Sequence, residues 1–271
     1  MPRSGIGIIG CGAMGAALAR GIASSGAVSP ADIRVYDQDK KRAEAAAGEW
    51  GLRVAAGPEV LLQKSRCIFV AVKPQDVAGA VNSWKEHFQP GAHLLISLAA
   101  GVTMQFYREL LPAGSKIIRL MPNTPCLIGE GAIAMSAGSA VGAGEAAEIK
   151  ELLGGLGLTL AVPEKLLDAV TGLSGSGPAY LYLFVEALVD AGVNAGLDHE
   201  SASKLALQTV LGAARMLKES GRPPAELRRE VTSPAGTTAA ALAVLENRSF
   251  RGSLIAAVEA AVERAGELKL E

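Results

Sequence analysis

Five short, largely apolar runs, spaced by stretches of helical periodicity, narrow the fold of this chain more than any other feature. Ile6-Gly7-Ile8-Ile9, Ile33-Arg34-Val35-Tyr36, Ile68-Phe69-Val70-Ala71-Val72, Leu94-Leu95-Ile96-Ser97 and Ile117-Ile118-Arg119-Leu120 predict strands, and the segments near 13–25, 39–50, 75–88 and 103–111 predict helices. A strand that is apolar on both sides has no face for water. It belongs in a parallel sheet covered by helices above and below. A weaker strand near 131–136, a helix near 143–156 and a short strand near 158–162 complete an α/β, doubly wound domain over residues 1–162.

After Pro163 the strand signal disappears, and residues 163–271 predict an all-α domain with helices near 178–196, 199–220, 223–230, 237–248 and 251–269. In the last of these, Leu254-Ile255-Ala256-Ala257-Val258 with Ala260, Ala261 and Val262 is apolar around most of the circumference. Such a helix needs neighbours on more than one side. A domain of this size supplies too few, so the helical half is expected to be shared between subunits, with a compact monomeric bundle as the alternative.

Composition excludes several classes. With 26 Lys+Arg against 27 Asp+Glu the net charge is −1, and no basic cluster stands out, which argues against a nucleic-acid or polybasic membrane partner. Cys11, Cys67 and Cys126 stand far apart with no metal-ligand spacing, which suits a reducing cytoplasm and predicts neither a disulfide framework nor a metal site. Arg3 before the uncharged stretch 4–19 superficially matches an export signal, but Gly7, Gly10, Gly12 and Gly15 interrupt the apolar run. Residues 88–107 lack charged side chains, yet Gln89, Pro90, His93 and Gln105 rule out a spanning helix. The expectation is a cytoplasmic protein.

Gly10-Cys11-Gly12-Ala13-Met14-Gly15 matches GxGxxG directly after the strand ending at Ile9 and at the start of a helix. That context turns a weak pattern into a dinucleotide-binding, Rossmann-type corner. Gly10 permits the tight turn, Gly12 the approach of a pyrophosphate to the backbone, and Gly15 close packing of helix on strand. Asp37, ending the second strand, is placed to take the ribose hydroxyls and would repel a 2′-phosphate. Lys40, Lys41 and Arg42 follow, either to meet that phosphate or as a solvated helical turn, so NADPH and NADH both stay open. Ala71-Val72-Lys73-Pro74, Ala99-Ala100-Gly101 and Met121-Pro122-Asn123-Thr124-Pro125 follow the carboxyl ends of three strands, where open α/β sheets bind ligands.

In the helical half, Thr171-Gly172-Leu173-Ser174-Gly175-Ser176-Gly177-Pro178 breaks the chain before a long helix, and lacks the glycine that a hydrolase elbow needs at position 176. It reads equally as a helix entry and as a substrate loop. His87, His93 and His199 read as surface residues. Val231-Thr232-Ser233-Pro234-Ala235-Gly236-Thr237-Thr238 gathers hydroxyls and backbone N–H groups at a helix start, which suits a small carboxylate without lysine or arginine.

Across nearly its whole length the chain resembles the pyrroline-5-carboxylate reductases, the family that completes proline biosynthesis. The resemblance rests on the glycine corner, the three strand-end segments, Asp168–Tyr180 and Thr232–Thr238. It implies reduction of a cyclic imine by NADPH or NADH, with cofactor contacts from Ile9, Gly10, Cys11, Gly12, Ala13, Met14, Gly15, Asp37, Ala71, Val72, Lys73, Pro74, Ala99, Ala100, Gly101 and Asn123. It also implies that Thr238 hydrogen-bonds the ring nitrogen, that Ser233 with Gly236, Thr237 and Thr238 holds the carboxylate, and that Glu164 lies near the substrate. In the family the helical half forms an interwoven dimer, often assembled further into a decamer.

One departure is visible: the family usually has Pro-Gly-Gly where this chain has Pro234-Ala235-Gly236. A positive φ at Ala235 would cost about 1–2 kcal/mol. A hydroxyacid dehydrogenase on a similar frame would call for a Lys or His acid on the helix near 178–196, which contains neither. A nucleotide-sensing protein without turnover is the third reading; the hydroxyls at Ser233 and Thr238 argue against it.

Overall fold

A computed structural model describes residues 5–270; Arg3, on which the export-signal question turned, lies outside them. Among the described residues, β1 (Ile6–Ile9), β2 (Ile33–Tyr36), β3 (Arg53–Val54), β4 (Cys67–Val70), β5 (Leu94–Ser97), β6 (Lys116–Met121), β7 (Gly131–Ala137) and β8 (Gly157–Ala161) form one eight-stranded sheet ordered β3-β2-β1-β4-β5-β6-β7-β8. Around it run α1 (Ala13–Ser24), α2 (Lys40–Gly48), α3 (Pro58–Gln63), α4 (Val77–Trp84), α5 (Met104–Leu110), α6 (Ala143–Leu152) and the short α7 (Leu167–Val170).

The order reverses beside β1, which is the doubly wound arrangement expected. One correction applies: β7 runs antiparallel to β6, with Ile118 opposite Ala137 and Met121 opposite Ala134. The sequence between β6 and β7 explains it. A parallel return needs a crossover of a dozen or more residues. Here the link holds only a 3₁₀ turn, Thr124–Ile128, closed by Gly129 in the left-handed region.

Alternation along the strands divides the core. Ile8, Phe69, Ile96 and Ile118 face one buried cluster with Leu18 and Ile22 of α1 and Ile149 of α6. Ile9, Ile68, Val70, Leu95 and Ile117 face a second with Leu61, Val77, Val81, Trp84 and Tyr107. Each fully buried aliphatic or aromatic side chain contributes about 1.5–3 kcal/mol. Both faces of the sheet are therefore held, as the apolar runs predict.

The chain forms two compact units, one of residues up to Ser176 together with those from Ala261, the other Gly177–Ala260. Segment 163–176, grouped by sequence with the helical half, packs in the first unit, where Glu164 and Asp168 meet charged partners. The first unit also closes on residues 268–270. Val102 and Leu270 form a parallel bridge, Leu270 N–H donates to the Gly101 carbonyl at 3.0 Å, and Lys269 Nζ lies 2.7 Å from Asp168 Oδ2.

The second unit contains α8 (Gly177–Asn194), α9 (His199–Ser220), α10 (Pro224–Glu230) and α11 (Thr237–Asn247), with the first turns of α12 (Phe250–Glu267). Its buried cluster is small: Val189, Ala202 and Ala206. Leu181, Tyr182 and Leu183 on α8, Leu205 and Leu207 on α9 and Ile255 on α12 all stand more than half exposed in the single chain. No helix among the described residues is long and apolar enough to cross a membrane.

His93 corrects the sequence reading. His87 and His199 are exposed, but His93 is buried, with Nδ1 accepting from Gln89 N–H at 2.9 Å and Nε2 3.2 Å from the Leu62 carbonyl. Packing of Phe88 against its ring completes the enclosure.

Candidate active site

The glycine corner begins where β1 ends. Gly10 has φ +98°, and a Cβ there would come within 2.8 Å of the Ala71 backbone. A Cβ on Gly15 would collide with the Gly10 carbonyl oxygen. Among the described residues, a Cβ at Gly12 would meet nothing within 4 Å, and no side chain caps the N-terminus of α1. Two glycines thus close the turn, while the third leaves helical N–H groups and the positive end of the helix dipole open to an anion.

Asp37 fastens this corner to the end of β2. Its Oδ2 accepts from Cys11 N–H at 2.7 Å and its Oδ1 from Asp39 N–H at 2.8 Å. Burial, and then the nearby Asp37 carboxylate, push the Cys11 thiol up to about 12. Cys11 is therefore an inert packing thiol at neutral pH.

A cleft of about 780 Å³ opens over the corner, and its wall includes Ile9, Gly10, Gly12, Asp37, Ala71, Val72 and Lys73. Trp84 also lines it, with a buried Nε1 that has no hydrogen-bond partner among the described residues. Gln75 is common to this cleft and to a second cavity of about 300 Å³, so the two adjoin. The second cavity is walled by Pro74, Ala99, Ala100, Gly101, Arg119 and Thr171, among others. Cys11, Ala13, Met14 and Gly15 shape the corner without lining either space. The open Gly12, the filled positions at Gly10 and Gly15 and the orphaned indole fit a dinucleotide.

Asn123 lines neither space. Its amide is spent internally: Nδ2 donates to the Ser174 carbonyl at 3.1 Å and Oδ1 accepts from Ala132 N–H at 2.9 Å. It thereby ties the end of β6 to β7 and to the π-helical turn Thr171–Gly175. The hydroxyls of that turn also bond backward, Thr171 to the Leu167 carbonyl and Ser174 to the Val170 carbonyl.

Glu164 Oε1 accepts from Met104 N–H at 2.7 Å and from Arg119 Nη1 at 2.8 Å. Arg119, only 7% exposed, escaped sequence reasoning. The signal was present, a lone charge inside the apolar run Ile117–Leu120. Below it, Tyr107 and Ser97 share a buried hydrogen bond of 2.7 Å.

In the second unit, Ser233 to Gly236 form a tight turn in which Gly236 N–H donates to the Ser233 carbonyl at 3.1 Å. Ala235 holds φ +56°, the left-handed conformation that the sequence marked as costly. A Cβ on Gly236 would collide with Ser233 Oγ, and no side chain caps α11, which starts at Thr237. Ser233, Gly236, Thr237 and Thr238 are therefore brought together around an open helix start, with Thr238 half-buried and Ser233 exposed. Hydroxyls and free N–H groups at a helix start bind a carboxylate without a cation.

Comparison with known proteins places both units. A family model described as pyrroline-5-carboxylate reductase dimerisation matches residues 164–268, and one described as NADP oxidoreductase coenzyme F420-dependent matches residues 5–101. The chain is 43% identical to pyrroline-5-carboxylate reductase 3 of Danio rerio, over 97% of this chain and 91% of that protein. It is 41% identical to the pyrroline-5-carboxylate reductase of Arabidopsis thaliana, covering 97% and 95%. Among solved structures, a pyrroline-5-carboxylate reductase from Coxiella burnetii superposes with a TM-score of 0.95 at 34% identity, covering 99% of this chain and 100% of that one. The Plasmodium falciparum pyrroline carboxylate reductase, crystallised with NADP bound, gives 0.87 at 34% identity over the full length of both.

Proposed function

The chain belongs to the pyrroline-5-carboxylate reductase family, and from that premise we propose that it reduces 1-pyrroline-5-carboxylate to L-proline with NADPH or NADH, the last step of proline biosynthesis. The observation that carries this reading is the match over 97% of the chain, which takes in the glycine corner and the 233–238 turn alike.

The coenzyme, when bound, supplies the hydride. Everything else falls to side chains and backbone of the protein. The Gly10–Gly15 corner, with Ile9, Cys11, Ala13 and Met14, holds the pyrophosphate at the open start of α1. Asp37 takes the ribose hydroxyls. Ala71 to Pro74 and Ala99 to Gly101 orient the nicotinamide end, and Asn123 acts by fixing the strand ends around it. Ser233, Gly236, Thr237 and Thr238 bind the substrate carboxylate, and Thr238 Oγ1 accepts from the protonated ring nitrogen. Glu164 serves the substrate site as well. Because the imine binds already protonated, no general acid of the histidine or lysine type is required. Catalysis is then largely positioning.

Residues 163–271 act as the substrate-binding and dimerisation domain, after a dinucleotide-binding domain of residues 1–162, and the protein is a homo-oligomer, either the dimer itself or a decamer built from such dimers. The exposed Leu181, Tyr182, Leu183 and Ile255 support burial against a second copy. The protein works in the cytoplasm, without a nucleic-acid or membrane partner. Three buried free cysteines and a near-balanced charge support that.

The test is loss of reduced-nicotinamide absorbance when the protein meets 1-pyrroline-5-carboxylate with NADH or NADPH. No oxidation of either coenzyme refutes the reading. Thr238→Ala should lower turnover while leaving coenzyme KM unchanged; an unaltered rate removes Thr238 from the reaction.

A further inference from the structure

We propose that this chain selects NADH over NADPH, through Asp37 and Asp39 at the end of β2. The inference rests on the dinucleotide reading above and extends it to the choice of coenzyme.

The two coenzymes differ only at the adenosine ribose, where one carries a free 2′-hydroxyl and the other a phosphate of roughly −1.5 to −2 charges at pH 7. The open start of α1 and the glycines treat them alike, so they contribute no discrimination. Selectivity has to come from groups that see the 2′-substituent.

Asp37 is fixed rather than free to swing aside, since each of its oxygens accepts a backbone hydrogen bond, from Cys11 N–H and from Asp39 N–H. An ionised carboxylate has about four acceptor positions and no donor. The two that remain suit the two O–H groups of a ribose diol. A phosphate, itself an acceptor and an anion, finds no partner there.

Three basic residues follow, but the structure withholds them. Lys40 points to solvent, 82% exposed, with Glu44 at 3.5 Å. Lys41 does not line the cleft. Arg42 does line it, yet Asp39 Oδ2 stands 3.4 Å from its Nε. Among the described residues around the cleft, the carboxylates of Asp37, Asp39, Glu59 and Asp76 face only two cations, Arg42 and Lys73. The potential in this space opposes an additional phosphate.

Calorimetric titration of the intact protein with ADP-ribose and with 2′-phospho-ADP-ribose isolates the phosphate, and NAD⁺ with NADP⁺ repeats the comparison. The unphosphorylated member of each pair should bind about tenfold tighter or more, which corresponds to about 1.4 kcal/mol, and the gap should narrow as salt is raised. Asp37→Asn keeps an acceptor for Cys11 N–H but removes the charge, and should bring the two affinities within about threefold. Asp39→Asn releases Arg42 and should move the ratio the same way without touching the corner; it carries the test if Asp37→Asn fails to fold. Equal or tighter binding of the phosphorylated ligands by the unaltered protein overturns the proposal, as does a ratio that neither variant moves. Failure of all four ligands to bind refutes the dinucleotide site itself and is a distinct result.

Discussion

Glycine at position 235 should make this protein more stable, although it deletes atoms and adds no contact. Ala235 sits at φ +56° between Pro234, which restricts its own φ, and Gly236, whose N–H closes the turn onto the Ser233 carbonyl. An L-residue in this region costs about 1–2 kcal/mol because Cβ crowds the following carbonyl oxygen. Glycine removes that penalty but gives back about 0.4–1 kcal/mol through the greater freedom of its unfolded chain. The net expectation for Ala235→Gly is a gain of about 0.5–1 kcal/mol. For a chain of this size that raises Tm by roughly 1–4 °C. The assay is thermal and urea denaturation at one fixed protein concentration, since association couples to stability. Ser249, at φ +55° between α11 and α12, offers an independent site, and Ser249→Gly should give a similar gain. Ala235→Val should go the other way, because a β-branched side chain tolerates this region least. The kinetic consequence is opposite in sign: a looser turn should raise KM for the imine two- to threefold, roughly, with coenzyme KM unchanged. If Ala235→Gly lowers stability, the strain argument fails.

Three further perturbations probe other parts of the structure. Gly15→Ala drives a methyl into the Gly10 carbonyl, so it should destabilise the first unit by about 1–3 kcal/mol and abolish dinucleotide binding in a titration; normal binding contradicts the packing argument. Glu164→Ala leaves Arg119, whose side chain is 8% exposed, without its carboxylate, and should cost about 2–3 kcal/mol in urea denaturation because Glu164 is itself part-exposed; the double change to methionine at 119 and 164 should cost less than Glu164→Ala alone. His93 is held below its ordinary value by burial, against which the Leu62 carbonyl bond acts only in part. The unfolded chain therefore takes up a proton first, and His93 stabilises the fold fully above about pH 6.5, with the contribution lost as pH falls toward the folded value. Melting temperature should fall on acidification from about pH 7 to 5, more steeply than in His93→Gln; equal slopes would clear His93 of the effect.

The parts of the fold written in long apolar runs were legible. β1, β2, β4, β5 and β6 and the long helices follow from the apolar pattern that burial demands, and the corner at Gly10–Gly15 follows from its glycine spacing directly after a strand. Short elements were not. β3 has two residues, both exposed, and α3 a single amphipathic stretch of six, too little for any period to show. The direction of β7 was legible in principle from its short link to β6, a length argument rather than a pattern. His93 was hidden because burial of a polar ring depends on partners at Gln89 and Leu62 that only the folded chain supplies. Arg119 was hidden in the same way by Glu164, which lies on a different element far along the sequence. The strain at Ala235 was readable from a single substitution within a recognisable turn, since glycine and alanine differ there by one methyl group.

The bridge between Val102 and Leu270 has a consequence for how the molecule is made. The Gly101–Thr103 loop takes its backbone partners from a residue 167 positions later. At ribosomal speed that interval is roughly ten to thirty seconds. For the part of that time that follows synthesis of β8, which ends at Ala161, the sheet can be complete while this loop still waits for Leu270. A nascent chain released before Leu270 would carry a finished glycine corner beside an unfinished neighbour, and protection of the loop amides from exchange would be the last to appear.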